Sequence, residues 1–207
     1  MKNTISTILA IALFVSFISC KEKQKTKAKE DSSTEKFFVI EPKTTTINWV
    51  AYKTTDKVPV KGQFTKLNIE SPIKGKTALE ALNNLEFSIP VSSLFTKDSI
   101  RDGKLKKFFF GVLDNTELIS GTIHINNETS GSVDLKMNGV SQVLPITFFT
   151  SDQMVTIDAV MDLDNWNAQN ALISINEACK ALHTGPDGVT KTWSEVKIEI
   201  ATYLKYE

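Results

Sequence analysis

The chain is 207 residues long, with 24 Lys and Arg against 24 Asp and Glu, 41% hydrophobic residues, two cysteines and two histidines. Charges that cancel argue against nucleic acid as a partner, which calls for a basic surface. Two histidines and two cysteines leave little material for a metal centre or a histidine-based catalytic apparatus, so no metal, cofactor or catalytic residue is expected.

The N-terminus carries the longest apolar run. Lys2 supplies a positive start, Ile5 to Ile18 is almost unbroken apolar sequence, and Ile18-Ser19-Cys20 closes it. This is the n-region and h-region of a secretory signal. The run falls short of the ~20 residues that span a bilayer, so a retained transmembrane anchor fits less well. The junction resembles the lipobox of bacterial lipoproteins, with Phe17 where leucine is more usual. That resemblance implies that Cys20 carries diacylglycerol and becomes the first residue of the mature chain. Each buried methylene contributes ~0.8 kcal/mol, so two or three acyl chains hold a protein on a membrane. Residues 1–19 are therefore read as a signal peptide, and 20–36 as the lipidated cysteine with a flexible tether. KEKQKTKAKEDSSTEK, residues 21–36, has no large apolar side chain with which to build a core. The expected location is the bacterial envelope, periplasmic or surface-facing, with the membrane engaged through the lipidated N-terminus.

Residues 37–207 have the length of one domain. Cys179 is the only cysteine outside the signal region, so no intramolecular disulfide is available once Cys20 is lipidated. Period-two alternation runs through most of this stretch, the mark of half-buried strands. Ile47, Trp49 and Ala51 share one parity. Val58, Val60, Gly62 and Phe64 share another, while Leu67 and Ile69 fall out of phase, which predicts a bulge near Gly62 to Lys66. Leu85, Phe87, Ile89 and Val91 alternate most cleanly, and Pro90 marks a strand end or sheet edge.

A non-periodic stretch follows and reads as a loop. Its Thr96–Phe110 portion combines an Arg101-Asp102 pair with Phe108, Phe109 and Phe110. Three exposed phenylalanines would be costly at ~1.5–3 kcal/mol each, so core, partner or ligand must cover them. Arg101 and Asp102 are read as an ion pair or helix cap that fixes the loop.

Short strands resume at 119–125, 131–137, 142–149 and 154–163, separated by Asn126-Asn127, Asn138-Gly139 and Ser151-Asp152, all turn chemistry. Trp166, Ala168, Leu172, Ile175, Ala178, Cys179 and Leu182 then follow helical spacing, with Asp164-Asn165 as candidate caps and His183-Thr184-Gly185-Pro186 as a stop. A last strand spans Trp193 to Tyr203. The expected fold is mainly β, an antiparallel barrel of about eight strands with one C-terminal amphipathic helix inserted before the last strand and able to cap the mouth.

Chemistry is sparse along the chain. Cys179 and His183, four apart on one helical face, have no further cysteine or histidine nearby to complete a thiol or metal site. The acidic residues form no predictable close pair.

Several short motifs occur in a telling order. Phe87-Ser88-Ile89-Pro90-Val91-Ser92-Ser93-Leu94-Phe95-Thr96 leads to Ile100-Arg101-Asp102-Gly103-Lys104-Leu105 and then Phe108-Phe109. Gly62-Gln63-Phe64 precedes them and Met137-Asn138-Gly139-Val140-Ser141-Gln142 follows. The series resembles the YceI-like family over most of residues 44–205. The resemblance implies a lipocalin-like antiparallel barrel that binds a long apolar molecule, typically a polyisoprenoid, without catalysing a reaction. On that basis the candidate ligand-binding residues are Trp49, Phe64, Phe87, Ile89, Phe108 and Phe109. The alternative is a structural or interaction lipoprotein with a solid core, whose exposed loops such as Val112–Thr116 engage another envelope protein.

Overall fold

The structure is a computed structural model that describes residues 35–207. The expected signal peptide, Cys20 and most of the tether lie outside the described residues. In chain order the strands are β1 (Phe38–Ile40), β2 (Thr46–Lys53), β3 (Val58–Phe64), β4 (Glu86–Pro90), β5 (Leu94–Phe95), β6 (Leu118–Ile125), β7 (Ser130–Met137), β8 (Val140–Ser151), β9 (Met154–Asp162) and β10 (Thr192–Tyr206). The helices are α1 (Ala78–Leu82), α2 (Ser99–Phe108), α3 (Gln169–Ala178) and α4 (Lys180–His183). Among the described residues no helix is long and apolar enough to cross a membrane.

The fold is mainly β, as the alternation predicts. Hydrogen bonding runs in the order β4-β6-β7-β8-β9-β10-β2-β3-β5, every pair antiparallel, with β1 added at the C-terminal end of β10. The sheet curls until its edges meet. Asn68, just beyond β3, exchanges backbone hydrogen bonds of 2.8 and 3.0 Å with Ser88 on β4, and Thr65 N–H donates to Ser93 O at 3.0 Å. These few bonds close the barrel where no continuous ladder does. A closed sheet leaves no long unpaired edge to recruit another chain.

Tight turns between β6 and β9 follow from their residues. Asn138 and Gly139 both have positive φ, 54° and 68°, the conformation a two-residue hairpin needs to match strand twist. Asp152 (φ 53°) serves the β8–β9 turn. Pro42 breaks what would otherwise be one long strand, since it opens a short 3-10 turn between β1 and β2 and has no N–H to give to a ladder.

Three readings of the sequence need correction. The phase slip after Phe64 is not a bulge: β2 and β3 pair without interruption from Lys53–Val58 to Ile47–Phe64, and the strand simply ends before the chain crosses to β4. The bulge lies elsewhere, between Thr192 and Val196 of β10, where the register against β2 shifts. The stretch read as a loop contains α2, which lacked a helical signal because Arg101, Lys104, Lys106 and Lys107 spread charge around it and Gly103 sits mid-way. The single C-terminal helix is three pieces. A 3-10 turn at Leu163–Trp166, capped by Asp162, ends at Asn167 in the left-handed region (φ 55°), and α3 and α4 are separated at Cys179.

One end of the barrel is solid. Ile40, Leu82, Leu85, Phe148, Val155 and Leu204 are buried there, supplied by β1, α1 and the strand ends around them. The other end is covered by α2, α3 and α4. This asymmetry, a plugged floor and a helix-covered mouth, positions the site.

Candidate ligand cavity

Inward-facing residues from all the long strands surround a cavity of about 490 Å³. This lies within the ~300–1,000 Å³ typical of small-molecule sites. One parity of each strand lines it: Ile47, Trp49 and Ala51 from β2, Val133, Leu135 and Met137 from β7, Ile157, Ala159 and Met161 from β9, Val196, Ile198 and Ile200 from β10. The opposite parity, such as Asp134, Lys136, Asp158 and Asp162, faces solvent. None of the floor residues Ile40, Leu82, Leu85, Phe148, Val155 and Leu204 lines it, so the cavity is blind. From Trp193 to Ile200 the strand rises about 3.3 Å per residue at a tilt of roughly 40°, giving a depth of about 15–20 Å.

Polar side chains lining the cavity gather at the mouth. They come from the end of β2 (Tyr52, Lys53), from α2 and its cap (Asp98, Arg101, Lys104), from α4 (His183) and from the start of β10 (Thr192, Trp193). The β10 bulge brings Trp193 onto the same lining as Val196, Ile198 and Ile200, whose parity is opposite, which a regular strand would not do. Trp193 Nε1–H donates to Thr54 O at 2.7 Å, which fixes its ring at the opening.

The α2 lid is held by its own acidic residues. Asp98 is the N-cap, and its Oδ1 accepts from the N–H groups of Ile100 and Arg101 at 3.0 and 3.1 Å. The backbone N–H of Arg101, then that of Ile100, together with the charge of Arg101, hold the Asp98 carboxyl below the usual carboxylate range, against an opposing effect of burial. Asp102 does not pair with Arg101. Its Oδ1 accepts from Thr96 N–H at 2.8 Å and from Thr96 Oγ1–H at 2.6 Å, tying the first turn of the helix to β5. Arg101 instead lies 3.5 Å from Asp98, because residues three apart share a helix face whereas neighbours do not.

Of the aromatic and aliphatic residues singled out in the sequence, Trp49, Phe64, Phe87, Ile89 and Phe109 line the cavity. Phe108 does not; Phe110 does, and sequence reasoning passed over it. The chain leaves α2 at Phe109 (φ −107°, ψ −72°) and enters a 3-10 turn, so Phe109 and Phe110 both turn inward with ring centroids 5.0 Å apart. Phe108 stays on the last helical turn, half-buried, with the Lys107 ammonium 5.0 Å from its ring centre.

Cys179 and His183 also reach the cavity wall. Thr192 Oγ1–H donates to Asn176 Oδ1 at 2.8 Å, so its proton is committed and His183 Nδ1–H donates to Thr192 Oγ1 at 2.7 Å. Burial, then the neighbouring Lys53 and Lys104, push the His183 pKa down, which favours the neutral ring. Among the described residues no group of three His, Cys, Asp or Glu side chains is arranged to hold a metal ion.

The family model for the YceI-like domain matches residues 38–203, the whole barrel from β1 to β10. The chain belongs to the YceI-like family. A polyisoprenoid binding domain from Saccharophagus degradans has a similar fold, with a TM-score of 0.60 and 12% sequence identity over 82% of this chain and 98% of that one. BcnA from Burkholderia cenocepacia is also similar, at a TM-score of 0.52 and 14% identity over 80% of this chain and 99% of that one. No curated protein sequence matches significantly.

Two YceI-like motifs gain a physical reason here. Gly62 lies opposite Trp49 in the β2–β3 register, and a Cβ at Gly62 would overlap the indole carbons Cζ2 and Cε2. The glycine lets the ring lie flat on β3 beside the lumen. Asn138 does more than turn a hairpin: its Nδ2–H donates to Trp166 O and Asn167 O at 2.8 and 3.1 Å, while its Oδ1 accepts from Asp114 N–H at 2.7 Å. One amide thus joins the β7–β8 turn, the entrance to α3 and the segment after the phenylalanine run. Asn138→Ala is expected to cost about 2–4 kcal/mol, because positive φ suits alanine poorly and three polar partners lose their bonds. Denaturant titration should show the lower midpoint, and Asn138→Gly should recover only the backbone part.

Proposed function

We propose that this YceI-like protein is an envelope lipoprotein that binds and carries one long apolar lipid, of the polyisoprenoid class, in its barrel. The observation that carries the reading is the cavity itself, blind at the floor, apolar along its depth and polar only at the mouth. Such a site recognises a ligand by shape and by removal of apolar surface from water, with the polar groups at the rim orienting the ligand's other end. An apolar chain that buries about 500 Å² gains roughly 12 kcal/mol gross at ~25 cal/mol/Å², before the costs of association and ordering. The polyisoprenoid binding domain from Saccharophagus degradans, similar in fold, supports that ligand class. The apolar lining, with its nucleophilic and basic groups confined to the rim, favours binding over catalysis.

The lipobox-like junction at Cys20 supports a membrane anchor and an envelope location. Mass spectrometry of organic extracts from natively purified protein is expected to find one long-chain apolar lipid per barrel. Lipid-free protein that also takes up no labelled polyprenol would overturn the carrier reading. Metabolic labelling with a tagged fatty acid should mark the wild type and not Cys20→Ala.

A further inference from the structure

Residues that line the cavity and also face solvent mark its opening. Ile100 on α2 is 73% exposed and Leu182 on α4 is 60% exposed, and both belong to the cavity wall. Single exposed aliphatic side chains are common. These two sit on the rim of one apolar opening, among the ring side chains of Tyr52 and Trp193.

Around them the charge is lopsided. Lys53, Arg101 and Lys104 line the mouth against a single carboxylate, Asp98, which is already engaged by Arg101 and the α2 N-terminus. Lys191 and Lys57 stand 3.4 and 4.5 Å from the Trp193 ring centre, Lys57 being paired with Glu195 at 3.0 Å. Among the described residues Lys53, Lys104 and Lys191 form no ion pair. Arg101 and Lys57 are answered by Asp98 and Glu195, and Asp187 beside Thr55 adds a third carboxylate, so the local excess of cations is carried by Lys53, Lys104 and Lys191.

We propose that this rim docks on the anionic headgroup layer of a phospholipid bilayer, so that an apolar ligand passes between membrane and barrel without crossing water. The proposal rests on the apolar-ligand reading above. Ile100 and Leu182 enter between headgroups, Tyr52 and Trp193 sit at headgroup level where amphipathic rings are favoured, and the lysines and Arg101 meet lipid phosphates. An N-terminal anchor is compatible with this pose. The chain joins the barrel at β1, which pairs with Leu204–Tyr206 at the end away from Trp193. Residues 20–36 can span about 55–60 Å when extended, enough to run back past a strand as long as β10, about 50 Å.

Amide hydrogen exchange on the full-length lipidated protein tests this, because its readout is local and independent of the anchor. Vesicles of phosphatidylglycerol and phosphatidylcholine in equal parts are compared with phosphatidylcholine alone. Amides of α2 and of residues 180–193 should exchange at least about ten-fold more slowly on the anionic vesicles, since each cation near such a surface strengthens contact about five-fold. The protection should vanish in high salt. The floor turns at Asn126-Asn127 and Asp152 should not change. Ile100→Asp should lose the protection while its floor strands exchange as in the wild type. Equal exchange of α2 on both vesicles would overturn the docking. Lipid extracted from the same samples separates the two readings: bound lipid without α2 protection overturns docking alone, and α2 protection without bound lipid overturns the carrier reading alone.

Discussion

Ala159→Trp is expected to abolish lipid uptake while leaving the barrel folded. Ala159 lies on the lumen face of β9, opposite Ile198 in the β10 register and between Ile157 and Met161. In a filled core an added indole would force neighbours off their rotamers at about 1–3 kcal/mol or more. Here the ring enters a cavity of about 490 Å³ and buries its own apolar surface there. The thermal midpoint should stay within about 4 °C of the wild type, given ~2–4 °C per kcal/mol for a chain of this size. Binding of a fluorescent polyprenol analogue should fall about 100-fold or more, because the volume it needs is taken. A variant that melts far lower and still binds lipid would show that the ligand sits elsewhere and that the interior is packed.

Trp166→Ala should produce the largest loss of stability. Trp166 is 1% exposed, and its Nε1–H donates to Leu135 O at 2.9 Å inside the protein. Its own carbonyl accepts from Asn138. Removing a buried tryptophan costs about 3–5 kcal/mol, and here the Leu135 carbonyl also loses its donor. The expected fall in melting temperature is about 6–20 °C. Trp166→Phe keeps most of the volume and should recover more than half of that. A fall of less than about 3 °C for the alanine variant would show that the 163–168 turn does not clamp α3 to β7. Because α3 forms part of the mouth cover, the alanine variant should also release bound lipid faster.

Both variants depend on which side of each strand faces the lumen, and the sequence carried half of that information. Alternation in 47–51, 131–137, 154–163 and 195–200 fixes which residues share a face, since successive side chains on a strand point oppositely. It cannot say which face is inside. Burial answers: Val133, Leu135 and Met137 are covered while Asp134 and Lys136 are wet. Phe108, Phe109 and Phe110 show the limit at a single site. All three needed cover, and only the break in backbone direction at Phe109 decides that the second and third rings line the cavity.

Helix α2 was illegible because periodicity reports an apolar stripe, and this helix has none; it is held at its start by Asp98 and Asp102 through bonds to Ile100, Arg101 and Thr96. The small strands β1 and β5 and the helix α1 were missed for a related reason, being too short to show a repeat.

By itself, then, the sequence determined the long strands, the turns between them and the family pattern, because those depend on neighbours within a few residues of one another. Only the tertiary structure decided the plugged floor, the bulge that turns Trp193 onto the rim, the clamp of Asn138 on Trp166 and the cationic mouth formed by Lys53, Arg101 and Lys104. Each of these joins residues far apart in the chain, and their contact exists only once the sheet has closed and brought β2, α2 and β10 to the same end of the barrel.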